Sequence, residues 1–332
     1  MTRTPVLLDC DPGIDDALAI AYLVAAHRAG RIDLAGLVCT AGNVGLDDTV
    51  ANALAWLDLA DAPELPVAAG APGPIAVPHV LTPETHGPRG AGHAELGATT
   101  TRALDPRDGA RLWVELARAH PGGLVGIVTG PSSSLARAVA LEPALPRLLR
   151  GLVVMGGTFH GHPGNTTPVS EWNVDVDPEA ADRVCRAWEE ARVSDPAVPA
   201  PLWCGLNLTE RAVWTPARSE RLLAASDTPL TRALVDALRF YFEFHESVGE
   251  GYLAQVHDPL VAWLALHPDA VVSAPAHVRV ECAGEHTRGM TVADVRGQRG
   301  RVDNARIATD VRLPGGPDAV LDEVCGAITT LG

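Results

Sequence analysis

Short runs of consecutive apolar residues alternate with longer stretches of mixed apolar and polar positions through the first two-thirds of the chain. Val6, Leu7 and Leu8 form the first run, and an apolar run without alternation marks a strand buried on both faces. The pattern predicts strand over 6–9, a helix over about 13–29 stopped at Gly30, strand over 32–40 and a helix over about 47–59. Beyond a Pro/Gly-rich loop at 70–97 it predicts a helix near 108–119, then strand at 124–130, helix at 132–141 and strand at 151–157. This βαβ rhythm implies an α/β fold, an open, mainly parallel sheet flanked by helices on both faces. LWCGLNL, at 202–208, is strand-like; AHVRVECAG, GMTVADVRG and RVDNARIA, from about 276 to 307, read as antiparallel strands added late. A helix over about 317–329 closes the chain. SDPAVPAP at 194–201 is the best candidate for a break, but it is short and runs straight into strand pattern. A single domain over residues 1–332 is therefore expected.

Polar residues stand where the predicted strands end: Asp11, Asn43, Thr129 and the segment after Met155. The first of these junctions is the densest, because DCDPGIDD gathers Asp9, Asp11, Asp15 and Asp16 around Pro12 and Gly13. Asp11 before Pro12 has the form of an N-cap followed by proline in the first helical turn. That places it at the carboxyl end of a strand, where open α/β sheets bind ligands. Asp15 and Asp16 follow within the first turn or so, close enough to share a bound ion with Asp11. Mutual repulsion in a partly dry crevice drives protons onto such carboxylates unless a divalent metal and the positive end of the helix hold them ionised. Oxygen-only ligands point to Ca²⁺ or Mg²⁺ rather than Zn²⁺. A helix start merely enriched in acids accounts for one aspartate better than for four.

Composition narrows the function further. With 332 residues, 47% of them hydrophobic, the chain can bury a large core, and its formal charge of −15 argues against nucleic acid or an anionic membrane as partner. All 26 basic residues are Arg, so Schiff-base chemistry, pyridoxal phosphate attachment and a P-loop are excluded. The six cysteines, at 10, 39, 185, 204, 282 and 325, form no CxxC or Cys/His cluster. They read as small buried hydrophobes in a reducing cytosol, hence a cytoplasmic protein. The first strand begins too early to leave room for a signal peptide, and no apolar run approaches the about 18 residues that a membrane span needs.

Four further clusters carry polar chemistry. Asn43, after Gly42, suits either a helix cap or a ligand contact, and TGPSSSLA from Thr129 reads as a strand-to-helix turn whose backbone faces a ligand or simply caps. The irregular stretch 155–181 holds Asn165, Glu171, Trp172 and Asn173, a set of donors, acceptors and one aromatic face that suits a sugar. The bland reading makes the asparagines turn residues and Trp172 core. In QVHDPLVAWLALHPD, Asp258 before Pro259 repeats the Asp-Pro helix start, and His257 beside it suits a general acid.

In this order the pieces resemble the inosine-uridine nucleoside hydrolase family: DCDPGIDDALAI, TAGN, HGPRGAG, TGPSSSLA, MGG, GNTTPVSEWNVDVDPEAA, HDP and TRGMTVAD, running from residue 6 to about 295. The resemblance implies Ca²⁺-dependent hydrolysis of the N-glycosidic bond of a ribonucleoside to ribose and free base, with one Ca²⁺ per subunit. It implies Asp11, Asp16, Asp258 and the Thr129 carbonyl as metal ligands, and Asp11 as the general base acting on water. Asp15 and Asn173 would bind ribose hydroxyls with Asn43 nearby, Asn165 and Glu171 the 5′-hydroxyl, and Trp172 and Met155 would lie against sugar and base. His257 before Asp258 resembles the inosine-uridine or pyrimidine-preferring group, with His257 donating a proton to the leaving base and His86 touching it. Family members are typically homodimers or homotetramers. The chain departs from the family at Ser132, Ser133 and Ser134, which replace Leu-Thr-Asn, at Trp172 in place of Phe, and across 240–252, where Tyr241, Phe244 and His245 are candidate base contacts. Two alternatives stand beside this reading. An apolar strand ending in DxD also opens the haloacid dehalogenase-like Mg²⁺ phosphatases, with Asp9 as nucleophile, although DPGIDD replaces their DGT-like continuation. A non-catalytic nucleoside or ribose binder would keep the pocket but would have no need of the full ligand set.

Overall fold

The structure, a computed structural model, describes residues 3–97 and 103–331. The first half comprises β1 (Thr4–Cys10), α1 (Ile14–Arg28), β2 (Ile32–Cys39), α2 (Leu46–Leu59), β3 (Val67–Ala69), α3 (Pro83–His86), α4 (Gly109–Ala119), β4 (Leu124–Val128), α5 (Ser133–Leu141), α6 (Leu145–Leu148) and β5 (Leu149–Met155). It continues through α7 (Trp172–Val176), α8 (Pro178–Ser194), β6 (Leu202–Cys204), α9 (Leu206–Thr209), β7 (Val213–Trp214), α10 (Pro216–Ala225), α11 (Pro229–Ser247) and β8 (Ala254–Gln255). Last come α12 (His257–Leu266), β9 (Val271–Val280), β10 (Thr291–Asp294), β11 (Ala305–Val311) and α13 (Gly316–Ile328).

Nine strands form one sheet in the order β10-β9-β11-β6-β5-β4-β1-β2-β3. Pairing from β3 across to β11 is parallel, and β9 and β10 add the antiparallel edge. β1 alternates as the pleat requires: Val6, Leu8 and Cys10 join the apolar layer beneath α1, α11, α12 and α13, while Leu7 joins the layer beneath α4, α5 and α8. Helix α1 is buried along almost its whole length, from Ile14 to Ala26, as its nearly continuous apolar sequence demands. The chain runs β1-β2-β3 toward one edge and then returns to lay β4 on the other side of β1. A crevice opens where strand order reverses in this way, at the carboxyl ends of the strands. Asp11 and Thr129 each follow directly on one of these two strands.

Several boundaries differ from the pattern-based expectation, each for a local reason. RVDNARIA does not enter as an antiparallel hairpin arm alone: β11 pairs antiparallel with β9 but parallel with β6, extending the main sheet. The loop at 70–97 contains α3, and the irregular stretch after Met155 ends sooner than its composition suggested, in α7 and α8. The two Asp-Pro signals do not mark caps. Gly13 caps α1, with Asp16 reaching back to the Gly13 N–H at 3.0 Å, and Val256 caps α12, so that Asp258 sits inside the first turn. The six cysteines are free, four of them buried, and no helix among the described residues is long and apolar enough to cross a membrane.

Candidate active site

The crevice at the β1/β4 reversal is a cavity of about 620 Å³. Asp11, Asp15, Asn43, His86, Thr129, Met155, Asn165, Glu171, Trp172, Asn173, His257 and Asp258 all line it, so the residues singled out in the sequence converge here from across the chain. Asp16 is the exception: it is fully buried behind the wall. Its Oδ1 accepts from the Thr129 hydroxyl at 2.8 Å, and its Oδ2 accepts from the Gly13 N–H.

Four carboxylates face one another with little between them. Oxygens of Asp15, Asp16 and Asp258 lie within 4.8 Å of one another, the one group of three or more potential metal ligands so close among the described residues. Asp11 stands beside them, its Oδ2 accepting the Asn43 N–H at 2.8 Å while the Asn43 amide donates to the Asp11 carbonyl at 3.2 Å. Burial, and then the charges of Asp16 and Asp15, push the Asp11 carboxyl well above the usual range. Burial and three neighbouring aspartates do the same to Asp258, and burial with Asp16 raises Asp15 to about 7. The backbone N–H of His257, donating to Asp15 Oδ2 at 3.0 Å, opposes this only in part. No arginine lines the cavity among the described residues. A cluster of hard oxygen donors that lacks a protein counter-charge is complementary to a hard divalent cation, and the residues present fit one. Room around Asp11 is made by glycine: a Cβ on Gly130 would lie 2.7 Å from Asp11 Oδ1, and one on Gly42 would collide with Oδ2.

Two neutral histidines face the carboxylates. His86 Nδ1 accepts the Ile14 N–H at 3.1 Å, which places the ring's own proton on Nε2. His257 Nδ1 lies 2.9 Å from the Thr209 hydroxyl. Burial, with His245 nearby, pushes both imidazoles down to about 3. His245 completes this wall, its Nδ1 against the Tyr241 carbonyl at 2.9 Å and its ring edge-on to Tyr241 at 4.5 Å, and Phe244 packs beside them.

On the opposite wall several side chains expected to reach a sugar are already engaged with protein. Asn173 Nδ2 donates to the Thr129 carbonyl at 2.7 Å and lies 3.2 Å from Met155 Sδ. Glu171 caps α7, accepting N–H groups of Asn173, Gly157 and Val174 at 2.8, 2.9 and 3.1 Å, and burial still raises its carboxyl to about 7. Exposed Asn165 accepts the Trp172 N–H at 3.0 Å. Asp9, which the phosphatase alternative requires in the cavity, is turned away from it. Its two oxygens accept from Thr40 and from the Trp113 indole at 2.7 and 2.8 Å. Thr209, Glu210, Gln255 and the apolar pair Val80 and Leu81 belong to the site or its support and carry no local sequence signal. Only Gln255, two residues before His257, lies within a motif already under suspicion.

Comparison with known proteins decides the family. The family model described as inosine-uridine preferring nucleoside hydrolase matches residues 6–315. The chain belongs to that family. As a nucleoside hydrolase it cleaves the N-glycosidic bond of ribonucleosides. It is 34% identical over 317 residues to the pyrimidine-specific ribonucleoside hydrolase RihA of Shewanella woodyi, covering 95% of this chain and 96% of that one. It is 33% identical over 310 residues to the inosine-uridine preferring nucleoside hydrolase of Leishmania major, with 93% and 92% covered. Among solved structures, the purine-preferring ribonucleoside hydrolase of Gardnerella vaginalis superposes with a TM-score of 0.87 at 27% identity, covering 98% of each chain. A plant nucleoside hydrolase gives 0.86 over 99% of this chain and 98% of that one, and at 24% identity it shares the fold.

Proposed function

We propose that this nucleoside hydrolase is Ca²⁺-dependent and of the inosine-uridine or pyrimidine-preferring type, with Asp11 as general base and His257 as the acid for the leaving base. The observation that carries the reading is the convergence of four buried carboxylates, Asp11, Asp15 and Asp258 lining the cavity and Asp16 directly behind them, with no arginine in that lining among the described residues. Asp11, Asp16, Asp258 and the Thr129 carbonyl would hold the ion. When bound, it neutralises the carboxylates and increases the acidity of water at the site.

The remaining chemistry belongs to the side chains. Asp11, aimed by the Asn43 N–H, takes the proton of the attacking water. As the N-glycosidic bond breaks, an oxocarbenium-like ribosyl develops positive charge that the surrounding carboxylates stabilise. Asp15 and Asn173 are placed to take ribose hydroxyls, and Asn165 and Glu171 to take the 5′-hydroxyl once a sugar competes for their present partners. Trp172 and Met155 form the apolar support. Neutral His257, its Nδ1 held 2.9 Å from the Thr209 hydroxyl, would face the departing base with Nε2, and His86 Nε2–H offers a second donor there. The pyrimidine-specific and inosine-uridine preferring relatives, together with His257 itself, support the base preference. We read the chain as one domain that assembles into a homodimer or homotetramer in the cytoplasm.

The test is release of free base from inosine, uridine, cytidine and adenosine, with and without chelator. Release from uridine and inosine that disappears with chelator and returns with Ca²⁺ is expected. Chelator-resistant turnover rejects the metal, and preference for adenosine over uridine rejects the substrate type.

A further inference from the structure

A second cavity, of about 730 Å³, opens at the opposite edge of the sheet, where the parallel strands begin. Its floor is apolar, formed by residues such as Val6, Val125, Val153 and Leu264. Its rim carries four arginines, Arg31, Arg150, Arg306 and Arg312, against a single carboxylate, Asp269. This local excess of cations runs against the net charge of −15 that the chain carries. Many arginines elsewhere are paired with carboxylates, as Arg28 with Asp61, Arg186 with Asp182 and Arg211 with Asp310. Among the described residues none of the four rim arginines has a carboxylate oxygen within 4.0 Å.

Three of them are tethered instead to neutral acceptors. Arg150 donates to the Thr4 hydroxyl at 3.3 Å, Arg306 to the Ser273 hydroxyl and carbonyl at 3.0 and 3.2 Å, and Arg312 to the Asp269 carbonyl at 3.1 Å. Such tethers use one or two of five N–H donors and leave the rest of each fork free and oriented. Gathering cations about one cavity costs repulsion that a bound anion relieves, and guanidinium forks match phosphate oxygens in pairs. The volume exceeds what inorganic phosphate needs and lies in the range of small-molecule sites.

We propose that this cavity binds an organic phosphate of nucleotide size, its phosphate held by the arginine rim and its body lying on the apolar floor. The site is separate from the carboxylate cavity by the length of β1, about 20 Å at the rise of an extended strand.

Isothermal titration of the metal-loaded protein with uridine 5′-monophosphate, ribose 5-phosphate and inorganic phosphate tests this. Saturable binding in that order of affinity is expected, weakened by 0.5 M NaCl as screening grows. In R150A/R306A affinity for uridine 5′-monophosphate falls roughly tenfold or more while uridine hydrolysis is unchanged, and R312A alone shows a smaller loss in the same direction. Equal affinity in wild type and both variants overturns the proposal, as does the absence of saturable binding. Binding abolished by D258N but kept in R150A/R306A places the ligand in the carboxylate cavity and overturns it too. If no phosphate binds and R150A/R306A sediments as a smaller species than wild type, the rim is a contact between copies of the chain, and the proposal fails.

Discussion

Asp11 reaches the cavity because two glycines leave it space and Asn43 holds it from both its backbone and its side chain. In the proposed mechanism, removing its carboxylate deletes the base and one oxygen of the cation site together. Asp11→Ala is therefore expected to lower kcat on uridine by about three orders of magnitude or more, and near-normal turnover in steady-state assays would reject the mechanism. In the same proposal His257 acts on the other side of the scissile bond. His257→Ala should slow uridine hydrolysis by roughly 10²-fold or more yet spare an activated nitrophenyl riboside, whose leaving group needs no proton. Equal losses on the two substrates would remove the acid role. These residues were legible because the chain writes them in clusters, DCDPGIDD and HDP, whose residue types have few other uses together. Thr209, whose hydroxyl lies 2.9 Å from His257 Nδ1, and Glu210 were not, since a threonine and a glutamate at the end of a short helix have many. Nor did the sequence reveal that the Asn173 amide is spent on the Thr129 carbonyl, because that bond joins α7 to the end of β4 across 44 positions.

Helix starts carry the site, and proline misled the reading of where they begin. Proline tolerates the first turn of a helix but does not decide which residue caps it. Asp16 reaches back to Gly13 and thereby caps α1 from within, and α12 begins at His257, so both aspartates of the Asp-Pro pairs are free to face the cavity. Glu171 does cap α7, and it is a carboxylate held by three N–H groups in a fully buried place. Burial outweighs those bonds and lifts its carboxyl from 4.5 to about 7, so the folded chain holds a proton there that the unfolded chain has already released. Its contribution to stability is fully present below about pH 4.5, declines as pH rises toward 7 and is level above that. Glu171→Gln, neutral throughout, should flatten this part of a melting-temperature profile by up to roughly 3 kcal/mol between those limits. A profile as steep as wild type would assign the dependence to other groups.

The cation proposed for the cavity links chemistry to the stability of the fold, because the four aspartates it would neutralise lie between α1, α12 and the carboxyl ends of β1 and β4. Differential scanning of chelated protein should show a melting temperature that rises with added Ca²⁺, worth about 2.7 kcal/mol at a hundredfold excess over Kd, and Asp258→Asn should abolish the rise. A melting temperature indifferent to Ca²⁺ in wild type would show that no such ion is held. The sheet that frames the cavity was legible in its elements and in its parallel character, since runs such as LVGIV and GLVVM have no polar face. Strand order was not, because hydrophobic pattern marks burial and not neighbours. The reversal between β1 and β4, and the parallel seat of β11 beside β6, follow only from the completed packing. The hydrogen bond from the His257 N–H to Asp15 spans 242 positions of sequence and joins the first turn of α12 to that of α1. A polypeptide emerging from the ribosome thus holds Asp11, Asp15 and Asp16 long before His257 and Asp258 exist, and a fragment released early has neither the proposed acid nor the last proposed oxygen ligand. Translation must come nearly to its end before the chain can attack any nucleoside.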